Sequence, residues 1–154
     1  MEKPNPPSTN IVQVVKEFSA NLTNLWNTYN TAKSKGVGPK GETLQDIRDK
    51  VAELKILHVP SVWAFLKEWE TRTEDYYVYL RDEVFYNELL PMSLNGEEKS
   101  KKPTQAQLKH NAKNDNRVIE AYHSKVKTKK MVDMMYSLIQ GLNSLDNTIA
   151  SRLK

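Results

Sequence analysis

Two runs of apolar residues repeat in steps of four and three, and they constrain this chain more than any other feature. The first is Ile11, Val15, Phe18, Leu22, Leu25, Tyr29 and Ala32; the second is Met131, Met135, Leu138, Leu142, Leu145 and Ile149. A strict 4–3 step draws one narrow apolar ridge along a helix, and such a ridge must be covered by another helix. Hydrophobic residues make up only 38% of the 154 residues, which suits long helices exposed on several sides better than a thick layered core. The expected fold is therefore all-α: long antiparallel helical hairpins or a coiled coil, with a long C-terminal oligomerisation helix. Met135, Leu138, Leu142, Leu145 and Ile149 are expected to hold copies of the chain together. Met and Leu at both core positions do not select the number of copies.

Four segments follow from the punctuation. Residues 1–10, rich in proline, read as a flexible arm, with Ser8, Thr9 and Asn10 available as N-caps. Residues 11–88 read as a helical hairpin with an aromatic middle helix. Within it Thr43 is placed to cap the second helix, and Pro60 in His58–Ser61 interrupts it, leaving one kinked helix or two in sequence. Residues 89–104 carry a proline near each end and Asn-Gly between, and read as a linker. Residues 105–154 form a basic helical region, led by Thr104, with a break around Asn111–Asn116.

Gly36, Gly38 and Gly41 have the spacing of a dinucleotide-binding turn, and Gly36–Thr43 nearly matches a phosphate loop. Such loops need a strand before them and a helix N-terminus after them. Here a helix comes first, Glu42 stands where the lysine belongs, and Pro39 removes a donor. The glycines are expected to form a turn between helices.

Enzymatic chemistry finds no foothold. With no cysteine, disulfides, thiolate metal sites and cysteine catalysis are excluded. His58, His110 and His123 share no metal-ligand spacing, and the carboxylates fall at helical-face intervals. No cofactor or metal is expected. No run of about 18 apolar residues exists, so no membrane span is expected, and the N-terminus lacks the apolar core of a secretory signal. The absence of cysteine fits a reducing cytoplasm.

Charge is unevenly spread. Residues 61–99 carry 4 basic and 9 acidic side chains, while residues 100–154 carry 11 and 4. The basic set comprises Lys99, Lys101, Lys102, Lys109, Lys113 and Arg117, then Lys125, Lys127, Lys129 and Lys130. In the segment Trp69–Glu83, Arg72 lies one turn from Tyr76, and Tyr77 lies four residues before Arg81. Guanidinium groups contact phosphate and tyrosine rings stack on unpaired bases, so these residues suit a single strand. Tyr76 and Leu80 also continue the apolar stripe, so the same segment fits a core.

The order of features from Arg72 to Leu153 resembles the UvsY-type recombination mediator proteins of tailed bacteriophages. The matching residues are Arg72 and Asp75-Tyr76-Tyr77, then Thr104, Asp115 with Val118, and the ridge from Met131 to Ile149. The glycine-containing turn of that family after the tyrosines is replaced by Val78-Tyr79-Leu80. The resemblance implies a homo-oligomer that binds single-stranded DNA and helps load a strand-exchange recombinase, with contacts to the single-strand binding protein. Arg72, Tyr76, Tyr77 and Arg81 would touch the strand, with Lys101, Lys102, Lys109, Lys113 and Arg117 supplying charge to its backbone. The alternative is a helical protein-interaction, phage assembly or host-inhibitor protein that binds no nucleic acid.

Overall fold

A computed structural model describes residues 1–5, 9–94 and 103–154, and among these the chain is helical, with no strand. Helix α1 spans Thr9–Lys35 and α2 Leu44–Glu53; a π-helical turn, π1, covers Leu54–His58, and α3 runs over Val59–Glu83. A second π-helical stretch, π2, covers Val84–Leu89, followed by α4 (Leu90–Leu94), α5 (Gln105–Lys113) and α6 (Asn116–Leu153). The 38 residues of α6 give it a length of about 57 Å. None of these helices is long and apolar enough to cross a membrane.

The helix boundaries sit where local chemistry puts them. Gly36 (φ +86°) and Gly41 (φ +79°) adopt the left-handed backbone that L side chains resist, and the Gly36 N–H donates to Ala32 O, closing α1. Thr43 and Thr104 each begin a helix with a reciprocal capping box. The Thr43 hydroxyl accepts from the Asp46 N–H while the Thr43 N–H donates to the Asp46 carboxylate; Gln107 answers Thr104 in the same way. The break near Asn111–Asn116 is a tight turn at Asn114–Asp115, where the Asp115 carboxylate accepts from the Arg117 N–H.

Pro60 does not interrupt the helix. Proline has no N–H, and its ring crowds the carbonyl four residues earlier. The Val59 N–H instead reaches five residues back to Leu54 O, and the widened turn of π1 carries the helix past the proline. The device recurs before Pro91, where the Leu90 N–H donates to Phe85 O. Of the expected linker of residues 89–104, the first six residues are helical and residues 95–102 lie outside the described residues.

The chain divides into two compact units that do not follow the four sequence segments. One unit comprises Met1–Pro6 and Glu68–Lys129, the other Pro7–Lys67 and Lys130–Lys154. The second is built on both heptad ridges. Val15, Leu25, Tyr29 and Ala32 of α1 are buried in one cluster with Met135, Leu138, Leu142, Leu145 and Ile149 of α6, and Ile47 and Val51 of α2 join them. Leu22 presses so closely on α6 that a Cβ on Gly141 would lie 2.6 Å from its Cδ2. Arg48 and Lys55 both reach Asp146, at 3.2 and 3.9 Å.

This corrects the expected use of the C-terminal ridge. Met135, Leu145 and Ile149 are 0% exposed within a single chain, so the ridge is covered by the chain's own amino-terminal hairpin and offers no face to another copy. A heptad pattern says that a helix needs a partner, and α1 meets that need at no loss of translational freedom.

The unit of Met1–Pro6 and Glu68–Lys129 has a smaller core of Val84, Phe85, Leu108, Ala112 and Val118, with Tyr77, Leu80, Leu89 and Leu90 packed around it.

Candidate nucleic-acid interface

The aromatic and basic side chains of this smaller unit converge where α3 lies beside α6. Tyr77 on α3 and Tyr122 on α6 have ring centroids 5.7 Å apart at an interplanar angle of 58°. The Lys125 ammonium, one turn beyond Tyr122, lies 5.0 Å from the Tyr77 centroid and 5.9 Å from that of Tyr122. The Arg81 guanidinium, one turn beyond Tyr77, lies 5.6 Å from the Tyr77 ring. Tyr77 is thus half-buried with two cations within 6 Å of its ring, a distance each pair favours, while Tyr122 keeps 47% of its surface open. The arrangement offers an exposed ring for stacking with positive charge close by for a phosphate backbone.

Arg81 also borders a hollow of about 390 Å³ with Asp82, Phe85, Tyr86, Lys109, Ala112 and Lys113. Of the residues proposed from sequence, Tyr77, Arg81, Lys109 and Lys113 are therefore linked through Arg81. Lys125 stood in the basic set, but Tyr122 and Tyr86 were missed. Their significance depends on α6 and α5 lying against α3, and sequence spacing carries no signal of that.

Arg72 and Tyr76 belong to the same unit but stand apart from this group. Tyr76 precedes Tyr77 by 100° around the helix, and with Arg72 it belongs to a different face. Arg72 is held by Glu68 at 2.7 Å and lines a separate hollow of about 400 Å³ with Trp69, Asp75 and Met1–Asn5. There Lys3 pairs with Glu120 at 2.7 Å, and that carboxylate raises the Lys3 ammonium above its ordinary range, with Tyr76 a lesser contributor. The paired tyrosine is therefore two separate features.

Arg117 corrects another expectation. Its guanidinium donates to both Asp115, at 3.0 Å, and Glu88, at 2.8 Å, tying the α5–α6 turn to π2. These carboxylates raise its pKa, and Arg117 in turn holds the Asp115 carboxyl below the usual range. Two anions already complement this cation, so it contributes little to a phosphate site. Lys101 and Lys102 lie outside the described residues.

The charge asymmetry of the sequence also folds back on itself. The residues of this unit include 12 basic and 12 acidic side chains, so any attraction for a polyanion is local to the α5 and α6 face.

The glycine turn does cradle an anion, but its own. The Glu42 carboxylate accepts its own backbone N–H and the Lys40 N–H, the latter at 2.8 Å, and these bonds lower its pKa. Gly38 is pressed against Glu42 and Thr28, with no room for a Cβ. A phosphate would have to displace a carboxylate tied into the loop.

Comparison of the chain with protein-family models, with curated proteins and with solved structures gave no match.

Proposed function

We propose that this protein binds single-stranded nucleic acid through the face carrying Tyr77, Arg81, Tyr122 and Lys125, with Lys109 and Lys113 extending the charge. The observation that carries the reading is Tyr77, with two cations within 6 Å of its ring, beside the half-exposed ring of Tyr122. Stacking on tyrosine tolerates any base, and ammonium and guanidinium groups follow the backbone, so binding would depend little on sequence and strongly on salt. A place as a recombination mediator, loading a recombinase and meeting the single-strand binding protein, is the biological form of this reading. It does not draw on oligomerisation through the C-terminal ridge, which is occupied within the chain.

The test is fluorescence anisotropy with a labelled oligothymidylate at 50 and 200 mM salt. About four neutralised phosphates would weaken binding roughly 50-fold between these conditions. No binding at 50 mM removes the reading.

A second reading is favoured by a specific observation in the other unit. Ile56 and Leu57, adjacent on π1, are 71% and 68% exposed, a costly way to present apolar surface unless a protein covers it. In that case the chain is a helical protein-interaction module. A captured partner that survives nuclease treatment and is lost with Ile56→Ser/Leu57→Ser would favour it.

A further inference from the structure

We infer that the hollow bordered by the end of α3, by π2 and by α5 is a binding site for one phosphorylated nucleotide unit. Lys109 and Lys113 lie one turn apart on the same face of α5, and neither is ion-paired with a described carboxylate. Like charges at that spacing disfavour a helix by a small amount. Their position becomes useful if an anion sits between them, and Arg81 brings a third cation to the same rim. The only described carboxylate on the hollow is Asp82, and its contact with Arg81 is long, at 3.6 Å.

The space is too large for phosphate alone. About 390 Å³ falls within the range of small-ligand sites. Its walls are aromatic as well as basic. The π2 stretch places consecutive aromatic residues in different roles: Phe85 is buried as the inner wall, while Tyr86 stands edge-on to it at 4.8 Å and remains 57% exposed. Ala112, small and buried, completes the lining beside the two lysines. A nucleotide satisfies all of these at once. Its phosphate lies among Arg81, Lys109 and Lys113, its base stacks on Tyr86, and Asp82 accepts a hydrogen bond from a base amine or sugar hydroxyl. The unit can come from a free nucleotide or from the phosphorylated end of a strand, and the second source rests on the single-strand reading above.

The experiment titrates the full chain with dAMP, deoxyadenosine and inorganic phosphate, following the tyrosine resonances by NMR. Binding of dAMP is expected to be at least tenfold tighter than that of either fragment. Lys109→Gln/Lys113→Gln should weaken it at least tenfold, and Tyr86→Leu should weaken it by a similar factor, while thermal melting of these surface variants is unchanged. No response to dAMP at 5 mM, a response to phosphate equal to that of dAMP, or one unaffected by the lysine pair would each overturn the proposal. A second arm compares oligothymidylates with and without a 5′ phosphate. Tighter binding of the phosphorylated strand, lost in the lysine variant, assigns the site to strand ends; equal binding assigns it to free nucleotides. A chain that binds dAMP here but no oligonucleotide at 50 mM salt keeps this site and loses the single-strand reading.

Discussion

The two compact units divide stability and surface chemistry differently. The unit of Pro7–Lys67 and Lys130–Lys154 buries fourteen side chains in one cluster, eleven of them from the 4–3 ridges and the short α2. The unit of Met1–Pro6 and Glu68–Lys129 buries five in its cluster, and fixes its turns with ion pairs, caps and cation–ring contacts. Helices α3 and α6 contribute to both. The difference teaches that a long helix can be apolar ridge at one end and a platform for tyrosine and lysine at the other. What changes along α6 is the residue at the covered position, from Met135 and Leu142 to Ala121 and Thr128.

The comparison breaks most directly at the ridge. Leu145 is completely buried, and Leu145→Ala should lower stability by about 3–5 kcal/mol in urea unfolding, against about 2 kcal/mol or less for Val84→Ala in the smaller unit. Wild-type protein should remain monomeric by light scattering; a stable oligomer that dissociates on Leu145→Ala would show that the ridge has a partner outside the chain. Losses of equal size at the two positions would erase the distinction between the units.

A smaller effect tests whether exposed charge chemistry matters to the lesser unit. Arg117→Ala should lower stability only slightly, because the guanidinium and its Glu88 partner stay in contact with solvent. The pH dependence has a defined sign. Asp115 is held below its unfolded pKa, so its contribution is present above about pH 4 and is lost as pH falls through the folded value. Acid unfolding of Arg117→Ala should lack this component, and an unchanged acid limb would remove the clamp from the account.

The smallest effect sharpens the view of the ridge. Alanine is favoured over glycine within a helix by about 1 kcal/mol, but at Gly141 its Cβ meets Leu22. Gly141→Ala alone should be close to neutral, since the end of the Leu22 side chain can turn aside. In a Leu22→Ala background the same change should stabilise by about 1 kcal/mol. Equal effects in both backgrounds would mean that the two side chains do not compete for space.

Much of the fold was legible because it is written in short intervals. The 4–3 ridges, the glycine turn, Thr43 and Thr104 as caps, and the break before α6 all depend on residues within a few positions of each other. The path past Pro60 was less legible, since a π turn answers a missing N–H by a backbone adjustment that needs no special residue. Only part of the candidate interface was visible. Tyr77 with Arg81 is an i, i+4 pair, but Tyr122 and Lys125 reach Tyr77 from more than forty positions away. Tyr76 looked equivalent to its neighbour because adjacency in a chain hides the turn of the helix between them.

By itself the sequence determined that this protein is helical, where most of its helices begin and end, and that two of them carry ridges requiring cover. Those are consequences of side-chain period and local hydrogen bonding, which act within a turn or two. Only the tertiary structure decided that the ridges cover each other, that Arg117 is held by carboxylates, and which tyrosine stands among cations. Burial and charge pairing depend on distances between segments far apart in the chain, and a periodic pattern states the need for a neighbour without naming it.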